Sequence, residues 1–133
     1  MRLWQFPLTA ILTFAPSLAS AETIDVNNDR GGFVFMYQAR WEKLASQGVS
    51  VRISGPCLSA CTILLGYIPR RDICVTPNAS FGFHQATMQF ATDQLWKAYP
   101  EDIRVWINAQ GGLEFFTIRW MQAPEIYKYF HKC

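Results

Sequence analysis

The run VSVRISGPCLSACTILLGY, from Val49 to Tyr67, decides the fold. Its opening alternates: Val49, Val51 and Ile53 fall on one face, with Ser50 and Arg52 between them, the period-two signature of a strand. Ser54-Gly55-Pro56 closes that strand. From Ser59 to Tyr67 the chain is compact and apolar, which reads as a short buried helix that Pro69 stops. The sharp turn between strand and helix holds Ser59 with its hydroxyl outward. The first free amides of the helix, beginning with Ala60, point at the same spot.

Working outward, Thr23 to Val26 alternates weakly and predicts a first strand, ending at the turn-rich Asn27-Asn28-Asp29-Arg30-Gly31-Gly32. Val34, Tyr37, Trp41 and Leu44 share one face of a predicted helix that Gly48 ends. Downstream, Ile73 to Val75 and Phe81 to Phe83 read as two short strands around the Pro77-Asn78 turn. Asn78-Ala79-Ser80 matches a glycosylation sequon and is read as part of that turn. Tyr99-Pro100-Glu101-Asp102 opens a helix, with proline in the first turn and two acids at the positive end of the dipole. Ile103, Trp106 and Ile107 would face inward, and Gly111-Gly112 ends that helix. A further helix is predicted around Leu113 to Met121, and a short one after Pro124. Trp96, Tyr99, Trp106, Trp120, Tyr127 and Tyr129 recur at helical intervals and read as core packing. Arg70-Arg71 reads as a solvated turn. Helices alternate with strands and no repeat or linker interrupts them, so the expectation is one α/β domain.

The first 21 residues have the three parts of an export signal in order. Arg2 supplies the positive end, and Leu8, Ala10, Ile11, Leu12, Phe14 and Ala15 supply the apolar middle. Pro16 then breaks the run before the small residues Ala19-Ser20-Ala21. Leu8 to Ala15 is far shorter than the roughly 20 residues a membrane span needs. Residues 1–21 are therefore expected to be a cleaved signal peptide and residues 22–133 a soluble domain of the periplasm or exterior, off the membrane. Removal of Arg2 leaves eleven basic residues against ten acidic, a balance that argues against a nucleic-acid partner. Half the residues are apolar and 15% aromatic, which excludes a disordered chain.

Cys57, Cys61, Cys74 and Cys133 form an even set in the exported part, which favours two disulfides over metal ligation. Of the three connectivities, Cys61–Cys74 with Cys57–Cys133 is preferred, because a bridge to Cys133 would tie down the tail. No metal site and no cofactor are expected: His84 and His131 lack finger-like spacing from Cys57 and Cys61.

Serine needs a base to become a nucleophile, usually a histidine, and His84 is the one histidine inside the folded pattern, at the end of a Phe-Gly-Phe strand. Gly31-Gly32, the strand Val49–Ile53, Cys57-Leu58-Ser59-Ala60-Cys61 and Phe81-Gly82-Phe83-His84-Gln85 together resemble the Clp protease proteolytic subunit (ClpP) and its crotonase-fold relatives. The 25 positions from Ser59 to His84 are similar to that family's own separation, as are the 27 from Gly32 to Ser59. More narrowly, the two cysteines framing Ser59 resemble the small exported Clp-like proteins of proteobacteria. The resemblance implies a cut-down ClpP/crotonase-like fold, a short mostly parallel sheet with packed helices, covering about Ile24 to Tyr129. It implies Ser59 as nucleophile, His84 as general base, and the amides of Gly32 and Ala60 as oxyanion donors. Where the family holds a third triad member, an aspartate, this sequence has Ile118, in a segment running to Arg119-Trp120-Met121-Gln122-Ala123-Pro124-Glu125.

The function expected is therefore a periplasmic serine hydrolase acting on a peptide or ester bond, with self-association open. The alternative is a catalytically inactive ClpP-like module that binds or supports, favoured by Ile118 and the shortened sheet. A reaction on a coenzyme A thioester lacks an adenine pocket in the pattern, and the three-residue gap between Cys57 and Cys61 differs from that of a thiol oxidoreductase.

Overall fold

The computed structural model describes residues 1–2, 4, 7–15 and 21–133. The signal-end residues Pro16, Ala19 and Ser20 lie outside them, and Ala21 is exposed. No helix among the described residues is long and apolar enough to cross a membrane.

The elements follow in the order β1 (Thr23–Val26), α1 (Val34–Ser46), β2 (Ser50–Ile53), β3 (Pro56–Leu58), a 3-10 helix (Ser59–Gly66), β4 (Ile73–Val75), β5 (Ser80–Phe83), α2 (Gln89–Ala98), α3 (Glu101–Ala109), β6 (Arg119–Gln122) and β7 (His131–Lys132), with short 3-10 turns at Arg70–Asp72 and Glu125–Lys128. Two small sheets result. One is fully parallel in the order β1-β2-β4-β7; the other runs β3-β5-β6, with β5 and β6 antiparallel. Parallel strands need crossovers that cover the sheet faces, and α1 supplies the first of them, between β1 and β2. Val26, Val51, Ile53, Ile73 and Val75 are all buried.

The 3-10 helix forms the centre. Ala60 to Leu65 are buried without exception, and α1, α2 and β5 pack on them. Beside it lies an aromatic layer: Phe83 meets Tyr99 edge-on at 5.1 Å and Trp106 at 5.9 Å, and Phe81 meets Phe130 at 5.1 Å. Each such ring contributes about 1.5–3 kcal/mol through burial alone. Tyr99 is fully enclosed; its hydroxyl shares a 2.6 Å bond with Thr62, and burial holds its ionisation well above the usual tyrosine range.

Three expectations are corrected. The disulfides are Cys57–Cys61 and Cys74–Cys133, not Cys61–Cys74 and Cys57–Cys133. The tail is tied down as expected, but by Cys74: β7 pairs beside β4 with Cys74 opposite His131, and Cys133 N–H donates to Val75, which brings Cys133 to Cys74. Cys57 is then left to the cysteine one short turn away. Second, residues 113–118 are not helical; they form a loop leading into β6. Phe115 and Phe116 are exposed, so a helix here would have no apolar face to bury. Third, the Arg70-Arg71 turn is solvated mainly at Arg71, Arg70 being partly covered. Arg70 pairs with Asp102 (2.7 Å from Nη2) and lies over the Phe130 ring. The sequence reading also passed over α2, whose buried face is only Thr92 and Leu95.

Candidate functional site

Ser59 leaves β3 with φ of 57°, the left-handed region, and is the sole described non-glycine residue with positive φ. For a residue with a side chain that conformation costs about 1–2 kcal/mol, so its surroundings must impose it. Three features do so. Leu58 N–H donates to Asp29 (2.8 Å) and Asp29 N–H to Pro56 (2.9 Å), which pins β3 to the turn after β1. The Ser59 carbonyl accepts from Thr62 Oγ1 at 2.6 Å. Gly31 presses on the bend from outside: a Cβ there would stand 2.7 Å from the Leu58 oxygen, 3.0 Å from the Ala60 nitrogen and 3.1 Å from Ser59 Cβ. With φ of 84°, Gly31 is also in a conformation that side chains disfavour.

Asp29 organises that turn. Its carboxylate accepts from Gly31 N–H at 2.9 Å and from Tyr37 hydroxyl at 2.6 Å. Burial, aided by this bond and the carboxylate's charge, pushes the Tyr37 pKa up to about 12. Sequence reasoning placed Asp29 in the turn and Tyr37 on the helix face but missed the bond between them, although an aspartate two positions before Gly31 is a recurrent turn signal. Gly32 follows in the same loop, and among the described residues its N–H has no protein acceptor. The Ala60 amide belongs to the first turn of the 3-10 helix, where donors have no partner within the helix.

His84 is the first residue beyond β5 and is half-buried. Strands β3 and β5 are parallel with Leu58 opposite Gly82, so Ser59, one residue past its strand partner, and His84, two past, emerge from the same end of neighbouring strands. Gly82 lets this happen. A Cβ there would lie 2.6 Å from Leu58 Cδ1 and 2.8 Å from Trp120 Cζ3, so the two side chains close over the glycine.

On the other side of β5, Phe83 is opposite Arg119 in β6, the last pair of that ladder, and His84 and Ile118 each lie one residue beyond it. An isoleucine offers no acceptor, and the Nδ1 atom of His84 is buried without a hydrogen-bond partner. The loop before β6 is nonetheless well held. Gln85 donates from its backbone N–H to Glu114 (2.9 Å) and from its side chain to Leu113 (3.0 Å), while Arg119 binds the Gly112 carbonyl (3.0 Å) and Glu114 (3.1 Å).

An apolar groove of about 260 Å³ opens beside Gly32, with Phe33, Val34 and Phe35 on one wall and Met88, Phe90 and Ala91 on the other. Phe35 and Phe90 stack across it at 5.4 Å. A larger recess of about 420 Å³ lies elsewhere, between Tyr67, Pro100 and Phe130, and touches none of the residues above. No group of histidine, cysteine, aspartate and glutamate among the described residues is arranged to hold a metal ion.

No protein-family model matches the chain, and no curated protein is similar to it at a significant level. Solved structures are. The ClpP1 N165D mutant from Listeria monocytogenes superposes with a TM-score of 0.54 at 18% identity, over 80% of this chain and 68% of the other. A peptidase from Plasmodium falciparum gives 0.53 at 13% identity, over 82% and 74%. The fold is ClpP-like. At such low identity the likeness is one of architecture, the mixed α/β, mostly parallel design expected from the sequence, and the ClpP-like frame carries two disulfides here.

Proposed function

We propose that the protein is an exported serine hydrolase of ClpP type, cleaving a peptide or ester bond next to an apolar group. The observation that carries this reading is Ser59: a serine held in a strained left-handed bend, at the same end of adjacent parallel strands as His84. Ser59 Oγ attacks the carbonyl carbon while His84 takes its proton, and the proton then passes to the leaving amine or alcohol. The Gly32 and Ala60 amides receive the oxyanion, a contribution of about 2.7–4 kcal/mol per donor in comparable sites. Water repeats the sequence to release the acyl group. The groove beside Gly32 suits a hydrophobic side chain or acyl chain of the substrate. Two disulfides and no free cysteine among the described residues accord with a periplasmic or external compartment.

One observation favours an inert binding module instead. A histidine that accepts at Nε2 carries its own proton on Nδ1, and here Nδ1 is buried with nothing to accept it. Loss of the equivalent acceptor costs about four decades in rate in a serine protease. The hydrolase reading therefore predicts slow turnover. A fluorophosphonate probe decides between the two: labelling of the purified, disulfide-bonded protein that Ser59→Ala and His84→Ala both abolish supports the hydrolase. Absence of labelling in folded protein selects the binding module.

A further inference from the structure

The Cys57–Cys61 bridge encloses Ser59 at its middle, joining the residue two positions before it to the residue two positions after it. Both sulfur-bearing residues are fully buried, one in β3 and one in the 3-10 helix. Their Cα atoms are 5.3 Å apart. Had β3 continued straight through Ser59, four residues of extended chain would have separated them by about 13 Å. A disulfide tolerates no more than about 7 Å. The bridge is therefore incompatible with any backbone that runs on through residues 58–60, and Ser59 is the residue among them whose φ is left-handed. The second bridge has a different place, closing the chain from β4 to the tail.

We infer that the Cys57–Cys61 disulfide is a positioning brace, which holds Ser59 in its left-handed bend and so aims its hydroxyl and the Ala60 amide. The labelling arm of the test rests on Ser59 being the nucleophile; the backbone arm does not.

The experiment uses the full chain, expressed into an oxidising compartment, as wild type, as Cys57→Ala/Cys61→Ala, and as each of these with Ser59→Gly. Glycine relieves the strain of a left-handed bend. In the bridged protein Ser59→Gly is therefore expected to raise Tm by a few degrees. In the unbridged protein residue 59 keeps only the restraints of the Asp29 turn, Thr62 and Gly31, and the same substitution should give a clearly smaller increase. Fluorophosphonate labelling of the unbridged protein at Ser59 should fall about a hundredfold, the scale on which small misplacements of reacting groups act, with near-ultraviolet dichroism unchanged. Equal gains from Ser59→Gly in both backgrounds, or wild-type labelling without the bridge, overturn the brace. If wild type itself does not label, the hydrolase reading fails, and the Tm comparison alone decides the brace. If the alanine pair does not fold, Cys57→Val/Cys61→Ala refills the space of the sulfurs, and failure of that variant also to fold overturns the inference in favour of a purely structural bridge.

Discussion

At the scale of single residues, the site is defined by close approaches that leave no room for substitution. Gly31→Ala adds a Cβ 2.7 Å from a backbone oxygen, which cannot swing away as a side-chain tip would, at a φ that alanine disfavours. The expected cost is about 2 kcal/mol or more, read as a fall in denaturation midpoint, with loss of probe labelling at Ser59. Unchanged stability would mean that the turn and the Ser59 bend move independently. Ile118→Asp is the converse, a gain. His84 and residue 118 each lie one step past the β5–β6 ladder, so a carboxylate at 118 is expected to give Nδ1–H the acceptor it lacks, and labelling should accelerate at least about tenfold out of the four decades such an acceptor supplies. A folded variant that labels no faster would show that the acid position is not what limits the site. Tyr37 makes a prediction in pH. Its pKa is 10.0 when unfolded and about 12 when folded, through burial first and then Asp29. A raised folded value adds stability that is complete below pH 10.0 and drains away as pH climbs toward 12. Tyr37→Phe should therefore be less stable than wild type near neutrality by about 1 kcal/mol, the worth of a hydrogen bond. The gap should shrink in denaturant titrations repeated from pH 9 to 12.

At the scale of elements, what was legible depended on how much of each element's signal is local. β1, α1, β2, β4, β5 and α3 stand within a residue or two of their predicted places, because alternation in Val51–Ile53 and the spacing of Val34 and Trp41 report directly on a buried face. Segment 113–118 is apolar yet forms no helix, because Phe115 and Phe116 face solvent and a helix there would bury no face. α2 was missed for the opposite reason: its buried face includes Thr92, whose hydroxyl binds Ala86 N–H at 2.9 Å, so a structural position looks polar in sequence. The candidate site was legible as residues but not as geometry. Ser59, His84 and the Gly-Gly turn stood out; the contact of Gly31 with Leu58 and Ala60 arises between segments distant in sequence, and the Asp29–Tyr37 bond from the way α1 folds back on its own entry turn. Gly82 tests the pairing of β3 with β5. Gly82→Val puts atoms where Leu58 and Trp120 already meet, and should separate β3 from β5. Labelling at Ser59 should be lost even in preparations that retain most of their far-ultraviolet dichroism; a variant that labels normally would mean that the β3–β5 register does not set the site.

At the scale of the molecule, the two disulfides do different work, and loop length separates them. The Cys57–Cys61 bridge spans 4 positions and Cys74–Cys133 spans 59. Closing a chain removes entropy from the unfolded state in proportion to the logarithm of loop length, about 2 kcal/mol for the short loop and about 4 kcal/mol for the long one. The long bridge also seats β7 against β4, completing the parallel sheet at its open edge. The folded elements run from Thr23 to Lys132, and at that size each kcal/mol is about 4–8 °C in Tm, so Cys74→Ala/Cys133→Ala should melt roughly 15–30 °C below wild type, about twice the deficit of Cys57→Ala/Cys61→Ala. The order should invert in the chemistry: at a temperature where both variants are folded, the protein lacking Cys74–Cys133 keeps its labelling rate and the one lacking Cys57–Cys61 loses it. That crossing of stability against reactivity is the decisive pattern, since a small core that merely needed staples would lose both together, in proportion. Equal melting deficits would show that the long bridge joins segments already held together in the unfolded chain, and that loop entropy is not what stabilises this domain.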